Sequence, residues 1–404
     1  MQGLSALTRT ATDHWRDGRG KVFVAVSAGW FLSIGVRMTY PVLLPYLRAD
    51  YDLSLTMAGF LLTVLWIVYA IGQIPGGVLA DRFGEGVTMA ASMAIAAGTL
   101  AFIVIADSLL ALFVGTALLG GAIALFGVVR LTSLADTYPK RVGTVHGFLG
   151  AVGDVGNTVL PPLAGIIAAA TVWQLGFGVL VPLFVLVAVA LWSFVPTRTS
   201  PPANSSGSFT VENVRRVYSE VRQPALVFGT VIMVLGLAIS QAFVGFYPTY
   251  LIEIKGMSAP VASGLFALFF ALGVVIRPLA GNSYDRIGIR RLLFFIVGVS
   301  TTGFVLLPLI EGLPALVAVT VVIAVMTGRG TVTMAYMTVS LSSDVQNTGL
   351  GILRTFFFLS GAVSPVVFGA IADRGYFDEA FFLLAVLSGL TILVIQRLPS
   401  VERE

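Results

Sequence analysis

The segment Gly77-Val78-Leu79-Ala80-Asp81-Arg82-Phe83-Gly84 returns as Gly281-Asn282-Ser283-Tyr284-Asp285-Arg286-Ile287-Gly288, an offset of 281 − 77 = 204 residues. The same offset relates Gly147 to Gly351, Pro161 to Pro365, and Tyr46-Leu47 to Tyr250-Leu251. In a chain of 404 residues, a half-length repeat in constant register predicts two copies of one folding unit. Each copy of the motif sits between long apolar runs, so the repeated unit is a membrane unit.

Twelve such runs are long enough to cross a bilayer: roughly 22–47, 54–80, 87–107, 110–134, 143–168, 173–195, 224–252, 259–282, 290–310, 313–340, 349–371 and 377–398. Composition supports this reading, with 57% hydrophobic and only 11% charged residues and a mean hydropathy of +0.95. No soluble domain of this length hides so much apolar surface. The first run follows a charged 21-residue segment without an A-x-A-like cleavage site, which reads as a retained span. The expected fold class is an all-α integral membrane protein with twelve helices in two six-helix bundles. The expected divisions are an N-terminal segment 1–21, a first bundle 22–195, a linker 196–223, a second bundle 224–398 and a tail 399–404.

Basic residues set the expected orientation. With both termini cytoplasmic, sixteen of the 24 Lys and Arg fall in cytoplasmic segments, and only Arg48, Lys255 and Arg374 fall outside. The net charge of +4 is then a topology signal. No basic stripe with interleaved aromatics appears, so no nucleic-acid partner is expected. The absence of cysteine excludes disulfides, and the two histidines, His14 and His146, are too few for a metal cluster. No cofactor is expected.

The polar break at 196–223 opens with a Pro/Ser-rich flexible composition. Val211, Val214, Val217 and Val221 then recur at helical spacing, which predicts a short amphipathic helix on the membrane surface. Its expected role is to tether the two halves.

The chain resembles the major facilitator superfamily. The resemblance rests on the 6 + 6 spans, the central linker, and the paired loop motif G-x-x-x-D-R-x-G-x-R-R between spans 2–3 and 8–9. Gly281, Asp285, Arg286, Gly288 and Arg290-Arg291 complete the second copy. The first copy carries Gly77, Asp81, Arg82 and Gly84, but has Glu85 and Gly86 where basic residues are usual. The resemblance implies a secondary transporter whose loops latch the cytoplasmic side shut in one state. Asp81 is then expected to accept hydrogen bonds from the amino end of span 11, near Gly349–Gly351, where the helix dipole is positive. Asp285 is expected to face the start of span 5, and Arg354, one turn into span 11, to act in the latch. Tyr69-Ala70-Ile71-Gly72-Gln73-Ile74-Pro75-Gly76-Gly77 looks like span 2 of the anion:cation symporter branch, although Thr116 stands where proton-coupled members often carry an Arg. Span 5 carries Gly147, Gly150, Gly153 and Gly156 before Pro161-Pro162, similar to the Gly-rich, Pro-ended motif of the superfamily's antiporters. Small residues on one face also let helices pack closely.

The chemistry resides in charges inside the spans: Arg37, Arg130, Asp154, Arg277, Arg329 and Arg354. Each costs about 3 kcal/mol on insertion scales and needs a polar cavity or a partner. The fold implied by the resemblance lines its cavity with spans 1, 4, 7 and 10, which carry Arg37, Arg130, Gln241 and Arg329. The arginine fork suits a carboxylate or phosphate. Each has a structural alternative. Arg329 pairs with Asp154 or a carbonyl, and Arg130 snorkels or pairs with Asp136. Arg277, where carriers of small carboxylates in the superfamily often hold an Arg, forms an ion pair near the latch. Asp154 is either a proton carrier or the partner of Arg37 or Arg329, with Asn157 one turn along orienting it or the substrate. Gln241 is the repeat mate of Arg37. Trp30, Phe31, Phe243, Phe246 and Tyr336 form an apolar wall or plain helix packing.

The reading is a monomeric secondary transporter of the plasma membrane, moving a small organic anion by alternating access through proton symport or anion exchange. The rival within the superfamily is export of multidrug or lipophilic solutes, which the arginine excess disfavours. An enzyme or receptor is a second rival, but no nucleophile–base pair or phosphate-binding loop supports it.

Overall fold

A computed structural model of the chain describes residues 19–139, 142–199, 220–342 and 346–399. The amphipathic helix expected at 211–221, most of the 1–21 segment, residues 400–404 and the side chain of Asp285 lie outside the described residues.

In hydrocarbon every backbone polar group must be satisfied within the chain, so apolar runs become helices. Among the described residues twelve helices are long and apolar enough to span: α1 Arg19–Tyr51, α2 Leu55–Phe83, α3 Glu85–Val104, α4 Leu109–Thr137, α5 Thr144–Ala170, α6 Trp173–Phe194, α7 Pro224–Glu253, α8 Ala259–Tyr284, α9 Ile289–Leu309, α10 Leu313–Val339, α11 Gly349–Ala372 and α12 Phe377–Gln396. No strand occurs among the described residues. Polar punctuation sets the ends. Ser54 Oγ accepts the Met57 amide at 3.2 Å to start α2, and Ser108 Oγ accepts the Ala111 amide at 3.3 Å to start α4. Gly84 and Gly288, related by the 204-residue repeat, turn the chain after α2 and α8 with φ of 91° and 77°. Side chains are strained there, which accounts for both glycines of the loop motif.

In the first half α1 packs along α5, α2 along α4 and α3 along α6; in the second, α9 packs along α12 and α7 against α11 and α12. The halves meet where α2 lies on α11 and α5 on α8. The chain is therefore a multi-pass membrane protein of two pseudo-symmetric six-helix bundles. The repeat extends to interior bonds. Tyr40 is bonded to Thr116 at 3.0 Å and Tyr247 to Thr320 at 2.5 Å, and the two threonines stand 204 residues apart. Phe243 is stacked on Tyr247 with ring centroids 4.6 Å apart and ringed by Phe269, Phe304 and Phe381. Phe243 and Phe246 are thus packing residues of the second bundle, not a cavity wall.

The two ends of the bundle pair differ. At the end opposite the chain termini, backbones touch. A Cβ on Gly59 of α2 would meet the Pro365 carbonyl of α11, and one on Gly369 would meet the Leu55 carbonyl. Asp373, just past α11, accepts the Leu55 amide at 3.0 Å and the Thr56 hydroxyl at 2.9 Å, so it caps the amino end of α2. Arg48 and Glu253 form an ion pair between the bundles at the same end. At the terminus-bearing end, Gly77, Gly147, Gly150, Gly281 and Gly351 on α2, α5, α8 and α11 have open space where a Cβ would project. The molecule is sealed at one end and open at the other.

Candidate functional site

The span arginines separate by the kind of partner each one finds. Arg277 of α8 forms an ion pair with Asp154 of α5, joining the bundles. The sequence reading offers Arg37 or Arg329 as the partner of Asp154; the α5–α8 contact brings Arg277 to it instead. The bridge lies eleven residues along α5 from Gly165, which packs on Ser263 at the sealed end, a distance of about 16 Å by helix rise. Arg329 of α10 is buried and donates Nη2 to the Gly236 carbonyl of α7, the carbonyl alternative. Its guanidinium fills the space a side chain at Gly236 would need, while its Nε has no partner among the described residues.

Arg37 and Arg130 have neither carboxylate nor carbonyl fork partners among the described residues. Arg37 is 5% exposed and donates Nε to the Ser33 carbonyl of its own helix at 3.1 Å. Its guanidinium lies 4.2 Å from the Tyr69 ring centroid, 5.1 Å from Trp66 and 5.8 Å from Trp30. Arg130 is 7% exposed, and its guanidinium rests 3.4 Å from the Trp30 ring centroid. Its Nε has no hydrogen-bond partner among the described residues. Arg130 is therefore buried against the Trp30 face rather than snorkelling to the surface. Desolvated cation–π contacts of this kind are worth about 2 kcal/mol. They offset part of the burial cost without neutralising the charge.

Arg354 of α11 is exposed and within electrostatic reach of Tyr69 and Arg130. The sequence reading gives it to the loop latch. Here it adds a third positive charge across the interface from the α1–α2–α4 cluster. Asn157 Oδ1 and Gln241 Nε2 are buried without hydrogen-bond partners among the described residues. Nothing described brings either of them, or Arg329, into contact with Arg37 and Arg130.

The loop motif is in an unlatched arrangement. Asp81, Arg82 and Arg286 are exposed, and Asp81 has no bonding partner among the described residues. Among the described residues no bond joins Asp81 to the start of α11. Arg290 Nε donates to the Leu398 carbonyl at 2.5 Å. Glu85, the departure from the motif, is buried and accepts the Thr199 amide at 2.9 Å, while the Gly86 amide donates to the Thr197 carbonyl at 3.2 Å. The first loop therefore grips the start of the linker.

A family model described as the Major Facilitator Superfamily matches residues 25–348. The chain belongs to that superfamily. Among its relatives within the superfamily, the nitrite extrusion protein of Bacillus subtilis (strain 168) is 27% identical over 360 residues, covering 87% of this chain and 88% of that one. The hexuronate transporter of the same organism is 24% identical over 384 residues, covering 88% and 90%. The crystal structure of a mutant of the nucleoside transporter NupG superposes with a TM-score of 0.79 at 14% identity, covering 93% of this chain and 99% of that one; it shares the superfamily fold.

Missing from the sequence reading are Tyr69 and Trp66 as partners of Arg37, Trp30 as the partner of Arg130, and Asp373 as a cap. Trp66 and Tyr69 stand three apart on one helix face, which is the available signal. Nothing in the sequence marks Asp373.

Proposed function

We propose that the protein is a secondary transporter of small organic anions, carboxylates above all, at the plasma membrane. One observation carries the reading: Arg37 and Arg130 are buried side by side, held by aromatic rings and paired with no acid among the described residues. Their charge is left for an anion to neutralise. The relatives that carry nitrite and hexuronate, both anions, support it. Arg354 adds reach from the second bundle, and Arg277, Arg329, Gln241 and Asn157 retain polar atoms that a substrate held between the bundles can use. Lipophilic-cation export finds no support in such a cluster.

Transport proceeds by alternating access between two bodies, 22–195 and 224–398, joined by the linker 196–223 and flanked by cytoplasmic segments 1–21 and 399–404. With the termini inside, the sealed end faces outward and the open end faces the cytoplasm. The loops carrying Asp81 and Asp285 close the open end in the alternative state. Asp154 couples the cycle to protons. Arg277 holds it ionised, and an anion that engages Arg277 frees it to take a proton, so anion and proton favour each other. Anion exchange, with Asp154–Arg277 serving only as a bundle bridge, is the alternative.

The test is uptake into liposomes by the purified protein, with nitrite, glucuronate, inorganic phosphate and a lipophilic cation compared under an inward proton gradient. Glucuronate uptake that Arg37→Ala and Arg130→Ala both abolish supports the reading. Transport of the cation alone overturns it.

A further inference from the structure

We propose that Trp30 is a positioning residue of the anion site: seated in the gap that Gly153 leaves, its indole holds the Arg130 guanidinium by the face and keeps its edge free for substrate. The proposal rests on the reading of Arg37 and Arg130 as the anion-binding pair.

The argument turns on the shape of a guanidinium. Its N–H groups radiate in the plane, and its faces carry none. A carboxylate partner occupies the edge and consumes the donors that a substrate needs. An aromatic partner occupies the face and consumes none. Arg130 has the second kind of partner, at 3.4 Å from the Trp30 centroid, and its buried Nε is unpartnered among the described residues. The deep acid on the adjoining helix, Asp154, is engaged by Arg277 and does not reach Arg130's edge. Trp30 also lies 5.8 Å from Arg37, so one ring borders both charges.

The indole is held from behind. A Cβ built on Gly153 would fall 2.3 Å from Trp30 Nε1 and 3.0 Å from Cδ1. Any side chain at 153 therefore drives the ring off its seat. The glycine face of α5 is at this position a socket for one tryptophan, beyond a general packing surface. The collision is with the edge of the ring, whereas Arg130 rests on its face.

This difference supplies the experiment. Full-length protein in detergent is titrated calorimetrically with glucuronate and with nitrite, and folding of every variant is checked by gel filtration. Trp30→Leu, which removes the aromatic face, weakens binding at least tenfold, and Trp30→Phe, which keeps it, stays within about threefold. Gly153→Ala, which displaces the ring from its seat, weakens binding at least tenfold. Equal losses in Trp30→Leu and Trp30→Phe, or parent-level binding by Gly153→Ala, overturn the proposal and leave Trp30 as packing. If Arg130→Ala loses binding while Trp30→Leu keeps it, this proposal alone fails. If the parent protein binds neither probe, or Arg130→Ala binds as the parent does, the anion reading fails and this proposal with it.

Discussion

Four buried or half-buried arginines in one membrane protein meet the same desolvation cost in three ways. Arg277 uses a carboxylate, Arg329 a backbone carbonyl, and Arg37 and Arg130 aromatic faces. The first two arrangements spend donors on a neighbouring helix; the third leaves the Arg130 Nε without a partner among the described residues, while Arg37 gives its Nε to the Ser33 carbonyl of its own helix. Arg37→Ala and Arg130→Ala are expected to abolish anion uptake at unchanged membrane levels, measured in liposomes. Lysine at either position should be nearly as damaging, since an ammonium cannot present a planar fork. Arg329→Ala should add a stability loss, read as a lower melting temperature, because it removes a charge-assisted bond to the Gly236 carbonyl worth about 1.5–3 kcal/mol and the packing between α7 and α10. Asp154→Asn mimics the protonated acid and breaks the bridge to Arg277. It is expected to lose uptake driven by a pH gradient while keeping counterflow exchange of labelled substrate; gradient-driven uptake at the parent level would remove Asp154 from coupling. The charged positions themselves are legible in the sequence, since a charge inside an apolar run stands out. Their partners are not: whether Asp154 meets Arg37, Arg329 or Arg277 depends on how α5 is rotated against its neighbours, and sequence spacing does not fix that rotation.

Between elements, α2 and α11 run antiparallel, so the amino end of each lies beside the carboxyl end of the other. Each carboxyl end carries an acid, Asp81 in the last turn of α2 and Asp373 just past α11. In this conformation Asp373 caps α2, and Asp81 has no bonding partner among the described residues. In the proposed transport cycle, rocking the bundles exchanges one cap for the other. A cap of this kind is worth about 1 kcal/mol, enough to bias a balanced equilibrium severalfold. Burial pushes the Asp373 carboxyl up, but the bonds from Thr56, the Leu55 amide and Ser54, with Arg48 nearby, outweigh it and hold the carboxyl below the ordinary aspartate range. The sign follows: the cap supports the sealed end fully above the ordinary pKa of about 3.9 and is lost as pH falls through the lowered value. Asp373→Asn should loosen the sealed end at neutral pH, whereas Asp81→Asn should leave this state intact and disfavour the other. Spin-label distances across α2 and α11 at both ends check each outcome. The spans are legible from run length alone. The Asp373 cap is not, because an acid before Arg374-Gly375 reads as an ordinary turn until α2 is placed against it.

For the whole molecule, the 204-residue repeat makes the two-bundle architecture legible, down to the paired turns at Gly84 and Gly288. The conformational state is not, since one sequence has to satisfy both an inward and an outward arrangement, and pattern reflects their sum. The chain has no cysteine, so introduced pairs report on either arrangement without background labelling. The glycines that project into open space turn this ambiguity into a tool. At Gly77 and Gly351 an added Cβ meets no atom within 4 Å in the present arrangement. Leucine at either position should therefore fold normally and bind anion from the open side. The surfaces it stands on are those that come together when the molecule reverses, so it works as a doorstop. Such a variant would be a receptor made from a carrier: it takes up one anion per molecule, comes to equilibrium, and delivers none.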